Sequence, residues 1–271
     1  MKWSRFYTTD QHFFIQNRNY LEIIQPGALE RRHFLGPDHQ KFTKVEYYRG
    51  YFFTTSYNSH VTVYDQDSNL ALTIGPVNEG KSQVIDFEIR GNQIYFCSFF
   101  DKVSIYNLDG TFVKDFQTNH CSSFLKLSDD GKIIYVAFNK QNSVVAYENG
   151  KEYKALKYFP FKKFGKIIKL ATSGSMLFVG LDSGNVNVFD NLEYCYYIRT
   201  GLRFIDEIFP VGRCFYAIHN FSNTVLFCGH KRVCNKINLD CLKIFNKRFT
   251  LDRDGSLALT YFARKPLVDF D

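Results

Sequence analysis

Val61-Thr62-Val63-Tyr64-Asp65, VTVYD, alternates in the manner of a β-strand, and the chain keeps returning to it. VSIYN begins at Val103, VVAYE at Val144 and VNVFD at Val186. With the fourth residue as landmark, weaker copies extend the series to Ile24, Tyr64, Tyr106, Tyr147, Phe189, Cys228 and Phe270. The successive gaps are 40, 42, 41, 42, 39 and 42 residues. A period near 40 built from strands marks a propeller blade, a twisted four-stranded antiparallel sheet. Two-helix solenoid repeats have a similar period, but their apolar residues recur at 3.6, not at two.

Each repeat supports four strands, a to d from the axis outward. Before the landmark strand lies a second apolar run: HFFIQ from His12, YFFTT from Tyr51, QIYFCSF from Gln93, KIIYVAF from Lys132. SMLFVGL from Ser175, RCFYAIH from Arg213 and SLALTYF from Ser256 complete the set. Inner strands such as VIDFEI (Val84) and KIIKLA (Lys166) join these runs through YRG, RGN, SDDGK, TSGS and DRDGS, which carry hairpin-turn residues. After the landmark, a turn leads to an outer strand, as in LALTI, TFVKDF and YKALKYF. The expected fold is all-β, a seven-bladed β-propeller in one domain over 1–271. Its blades fall near 1–36, 41–75, 82–117, 122–159, 165–200, 203–239 and 245–271. The last blade is expected to have three strands, ending in PLVDFD. Leu267, Val268, Asp269 and Phe270 would then form an open edge to which a partner could donate a strand.

LFVGLDSGNVNVFD, Leu177 to Asp190, resembles the middle of a WD40 repeat, with Asp182-Ser183-Gly184 in the b–c turn. VTVYD and VNVFD fall where that family often carries a closing aromatic–Asp pair. The family's Gly-His dipeptide is missing before every a strand; Gly229-His230 falls in a c–d turn, and the one tryptophan, Trp3, is outside the c strands. The resemblance therefore implies a divergent WD40-like propeller without the buried His–Asp–Ser/Thr–Trp network. Its blades would cohere through Phe and Tyr packing, each fully buried ring contributing roughly 1.5–3 kcal/mol. The stretch from Ser82 also fits six-bladed lactonase-like and NHL propellers.

Composition agrees with an all-β domain: 271 residues, 45% hydrophobic, 18% aromatic and only six prolines. No apolar run reaches the roughly 18 residues of a membrane span, and the first residues lack a secretory block. Seven irregularly spaced cysteines do not form a disulfide framework, so a cytoplasmic or nuclear location with reduced thiols is expected. The net charge of +7 admits an acidic partner.

Motifs for chemistry are absent. There is no G-x-S-x-G and no phosphate loop, Ser173-Gly174-Ser175 being a turn of the repeat. Cys228, His230, Cys234 and Cys241 have zinc-ligand chemistry, but their spacings match no finger and packing explains them. His120-Cys121 is a pair only by adjacency. Asp129-Asp130-Gly131 and Asp252-Arg253-Asp254-Gly255 are turns, not calcium loops. Neither a cofactor nor a metal is expected. The rival reading is a metal-dependent lactonase- or hydrolase-type propeller, whose acids would come from Glu46, Asp86, Glu88, Asp206 and Glu207 in a strands.

Strand order sorts the loops into two faces. The a–b and c–d turns read acidic (Asp109, Asp129, Asp130, Asp190 and Glu193 among others), with Arg49, Arg90, Lys151, Lys231, Arg232 and Arg253 mixed in. The b–c and d–a connections read basic, with Asp38, Glu79, Asp101, Asp182 and Asp240 among them. The basic face is densest in Lys157 to Lys166, with Lys162 and Lys163, and in Cys241 to Phe249, with Lys243, Lys247 and Arg248. Arg203 adds to it, as do Lys102 and Lys140. The expected function is a non-enzymatic scaffold in a multiprotein or ribonucleoprotein assembly, docking an acidic protein or RNA on this face.

Overall fold

In the computed structural model, the described residues are 5–8, 13–16, 20–24, 31–35, 44–55, 59–65, 69–75, 83–99, 101–118, 120–156, 165–219, 224–229, 232–238, 249–251 and 257–259. Before Lys44 and after His219 only the backbone is described, except at Leu226 and Cys228. Every regular element among them is a strand.

The first sheet holds β1 (Arg5–Thr8), β2 (Phe13–Gln16), β3 (Tyr20–Ile24) and β4 (Arg31–Leu35). The second holds β5 (Lys44–Tyr48), β6 (Tyr51–Thr55), β7 (Val61–Tyr64) and β8 (Leu70–Ile74). The third comprises β9 (Val84–Arg90), β10 (Gln93–Ser98), β11 (Lys102–Asn107) and β12 (Phe112–Gln117). The fourth comprises β13 (Phe124–Leu127), β14 (Ile133–Phe138), β15 (Ser143–Glu148) and β16 (Lys151–Leu156). The fifth contains β17 (Ile167–Ser173), β18 (Met176–Leu181), β19 (Asn185–Asp190) and β20 (Glu193–Arg199). The sixth contains β21 (Glu207–Val211), β22 (Cys214–His219), β23 (Thr224–Gly229) and β24 (Arg232–Asn238). Each of the six is an antiparallel meander, neighbours in sequence pairing in order, and β25 (Phe249–Leu251) pairs with β26 (Leu257–Leu259). Contacts divide the chain into two compact units. One is Met1–Phe99 with Ser104–Lys114 and Asn246–Asp271; the other is Phe100–Val103 with Asp115–Phe245.

The landmarks Ile24, Tyr64, Tyr106, Tyr147, Phe189 and Cys228 all lie in third strands, as the spacing predicts; Phe270 lies outside the described residues. The landmark also marks a recurring irregularity. Pairing to the fourth strand shifts between Val63 and Tyr64, Ala146 and Tyr147, Val188 and Phe189, and Phe227 and Cys228. In each case the fourth strand carries one extra residue: Ala71, Tyr153, Cys195 or Cys234. Such a bulge bends its strand and increases twist, which a propeller sheet requires.

Two-residue turns set the registers. Tyr48 pairs with Tyr51, Glu148 with Lys151 and Asp190 with Glu193. Both central residues have positive φ in each: Arg49 (49°) and Gly50 (88°), Asn149 (53°) and Gly150 (82°), Asn191 (48°) and Leu192 (63°). That is the turn whose twist matches the strands it joins. It corrects the fourth outer strand, which begins at Lys151 rather than Tyr153, because Asn149–Gly150 reverse the chain at once. Leucine rarely adopts positive φ. Leu192 is held there by packing on the Ala146, Leu177 and Phe189 cluster.

Cores lie between successive sheets. In the first unit Phe53, Val63, Phe87, Ile94 and Phe96 are buried together. In the second, Phe178 of the fifth sheet meets Phe215 of the sixth with ring centroids 5.1 Å apart, alongside Val188, Ile208 and Leu226. Phe116 stacks at 5.2 Å on the buried Tyr147. Aromatic packing between sheets thus does what the sequence expects of it.

Candidate interaction surface

In an antiparallel meander the a–b and c–d turns share one end of the sheet, and the b–c turn and the exit share the other. Five acids of the first end are engaged in structure. Asp109 accepts from the Thr111 hydroxyl at 2.6 Å and its amide at 2.8 Å; these bonds hold its carboxyl below the usual carboxylate range. Asp130 is lowered by the Ser128 hydroxyl, at 2.6 Å, and the Lys132 amide. Asp129 reaches the next sheet and accepts from the Gly174 amide at 2.5 Å. Asp190 accepts from the Ser175 hydroxyl and, in the sixth sheet, from Arg213 at 3.1 Å. Glu193 pairs with Lys154 of the fourth sheet. Tyr135, buried below Asp129 and Asp130, is pushed up to about 12, by burial first and then by those two charges.

The opposite end differs. Among the described residues Lys140, Lys166, Arg199 and Arg203 are exposed there and form no ion pair. Two of its acids are committed. The Asp182 carboxylate accepts from the Lys166 amide at 2.8 Å, and Asp206 faces His219. Of the predicted basic face, Lys166 and Arg203 lie on this end. Lys157, Lys162, Lys163, Lys243, Lys247 and Arg248 lie outside the described residues, as do Leu267, Val268, Asp269 and Phe270. Lys102 is a correction, since it is half-buried against Asp115 at 2.6 Å and its charge is met within its own sheet. Arg199, which ends β20, also lies on this end and is not part of the predicted basic face.

Glu46, Asp86 and Glu88 gather around one lysine in the first unit, and Glu207 meets another in the second. Lys44 Nζ lies 2.9 Å from Asp86 and 3.7 Å from Glu46, donates to the Phe87 carbonyl and sits 4.8 Å from the Phe87 ring. Burial pulls the Lys44 pKa down, but Asp86, Glu46 and Glu88 outweigh it and the net shift is upward. Cys97 beside them is buried, and that burial, with Asp86 adding, pushes its thiol well up. Glu207 pairs with Lys169 at 2.5 Å. Among the described residues no group of three or more His, Cys, Asp or Glu is disposed to hold a metal ion.

Asp206 precedes β21 rather than lying in it, and its carboxylate lies 3.1 Å from His219 Nδ1, both side chains about nine-tenths buried (8% and 10% exposed). A buried His–Asp pair therefore exists where the sequence reading expected none, with the acid before the a strand and the histidine at the end of the b strand. The reverse placement hid it from a search for Gly-His. His219→Ala should cost about 1.5–3 kcal/mol, the range for hydrogen bonds to charged groups. His219→Gln, which keeps a donor, should cost less. Equal losses in urea denaturation would dismiss the bond.

Meandering four-stranded sheets, bulged at one repeated position and packed face on face, define a WD40-like β-propeller fold. The solved WD40 β-propeller domain of Doa1 superimposes with a TM-score of 0.70 over 92% of this chain and 86% of that one, at 12% sequence identity. No protein-family model matches the chain, and no curated protein matches it in sequence. Among the described residues no helix is long and apolar enough to cross a membrane.

Proposed function

We propose that the protein is a non-enzymatic interaction scaffold, one propeller domain that docks an acidic macromolecule of an assembly on its b–c/d–a face. The observation that carries this reading is the asymmetry of the two ends. Asp109, Asp129, Asp130, Asp190 and Glu193 at one end close turns or bridge sheets, with Arg49, Arg90 and Lys151 exposed among them. At the other end Lys140, Lys166, Arg199 and Arg203 are exposed and without ion pairs among the described residues. Cations left available in this way raise the local potential and steer an anionic partner. The rival metal enzyme is disfavoured because Glu46, Asp86 and Glu207 hold lysines instead. Lys157, Lys162, Lys163, Lys243, Lys247 and Arg248 would extend the same face in sequence.

Replacing Lys162, Lys163, Lys166, Lys247 and Arg248 by Ala should weaken partner capture and flatten its salt dependence. Pull-downs over a salt series, with and without nuclease, test this and separate an RNA partner from a protein. Unchanged capture at low salt would reduce the face to solvated surface.

A further inference from the structure

The cations at the end of the fifth sheet are displayed from one hydrogen-bonded layer. Lys166 and Asp182 exchange backbone bonds, the Asp182 amide donating to the Lys166 carbonyl at 2.9 Å while the Asp182 carboxylate takes the Lys166 amide. Two residues on, the Gly184 carbonyl accepts the Thr200 hydroxyl and the Thr200 amide, and the Leu202 amide donates back to that hydroxyl at 3.1 Å. Leu202 is buried in the core between the fifth and sixth sheets. The segment Arg199-Thr200-Gly201-Leu202-Arg203 is thus fixed at its second and fourth residues, while Arg199, Gly201 and Arg203 are exposed. Tyr197 shares a face of β20 with Arg199 and is 40% exposed.

We propose that this layer is a recognition site for a phosphorylated serine or threonine in a partner protein, deepening the scaffold reading on which it rests. A phosphate monoester carries close to two negative charges and three acceptor oxygens, enough to engage two guanidinium forks at once, with Lys166 supplying a further point charge. A single carboxylate saturates on one fork. Because Thr200 and Leu202 anchor the backbone, little ordering entropy is lost on binding. Tyr197 offers one apolar seat beside the charges, suited to a peptide side chain; single-stranded RNA draws its affinity from successive stacking rings.

Fluorescence anisotropy with three peptide libraries tests this, each fixed at its central position: phosphothreonine, threonine or glutamate. A uridine homopolymer and polyglutamate complete the probe set. The phosphothreonine library should bind at least about tenfold tighter than the glutamate library. Arg199→Ala/Arg203→Ala should remove that preference, and Arg199→Lys/Arg203→Lys, which keeps the charge but not the forks, should remove most of it. These side chains are exposed, so thermal melting of both variants should match the parent. Equal binding of glutamate and phosphothreonine, or phosphothreonine binding that survives the Ala pair, overturns the inference. If polyglutamate or the uridine homopolymer binds through these cations and the phosphopeptides do not, the basic-face reading stands and this inference falls. If no probe binds, both fall.

Discussion

Gly184→Ala should be among the most destabilising single substitutions in the second unit, costing about 3–5 kcal/mol. Gly184 has φ of +77°, and a Cβ there would fall on the Leu202 carbonyl, which is backbone and cannot turn aside. Relief would require Leu202 to leave its core seat or the Thr200 bonds to Gly184 to break. Gly201 supplies the control, because its φ of +76° is nearly the same and a Cβ there meets nothing within 4 Å. Gly201→Ala carries only the left-handed backbone cost, about 1–2 kcal/mol. At roughly 2–4 °C per kcal/mol, the pair should melt several degrees apart, Gly184→Ala lower. Melting points within about one degree of each other would mean that the close approach contributes nothing.

Lys44→Met should be comparably severe, about 3–5 kcal/mol near neutral pH, because it strands Asp86, Glu46 and Glu88 around an apolar side chain. The sign of the pH dependence follows from the upward shift of Lys44. A cation whose pKa is raised on folding contributes fully below its unfolded value of 10.5 and loses that contribution as pH rises toward the folded one. The parent should therefore hold this contribution across neutral pH and lose it only in strong alkali. In the variant the penalty belongs to uncompensated negative charge, so it should shrink in acid. Lys44→Met/Asp86→Leu, which removes the closest pair together, should recover part of the loss. Urea titrations at several pH values decide it; a penalty that does not change with pH would locate the cost in packing instead.

Most bridges between neighbouring sheets share one property, Asp190–Arg213 at 23 residues being an exception. Lys44 and Asp86 are 42 residues apart, Tyr48 and Gly91 43, Lys154 and Glu193 39, Gly174 and Asp129 45. Each separation is about one repeat, so the period identifies which segments are neighbours without saying which groups bond. Turn acids were legible as turn residues at Asp109 and Asp130, where the partner lies two residues away. They were not legible as bridges at Asp129 and Asp190, whose partners lie in the next sheet.

By itself the sequence determined the strand order, the period and the turns, because alternation and hairpin chemistry are local and act within a few residues. Tertiary structure alone decided which charges are available. Asp182, Asp206 and Glu207 carry the same formal charge in sequence, yet one caps a backbone amide, one faces a buried histidine and one pairs with a lysine. Lys102 and Lys166 read alike until the fold brings Asp115 to the first and leaves the second exposed. A charge becomes a recognition element only when no nearer counter-charge meets it, and that depends on distances across sheets that no local pattern encodes.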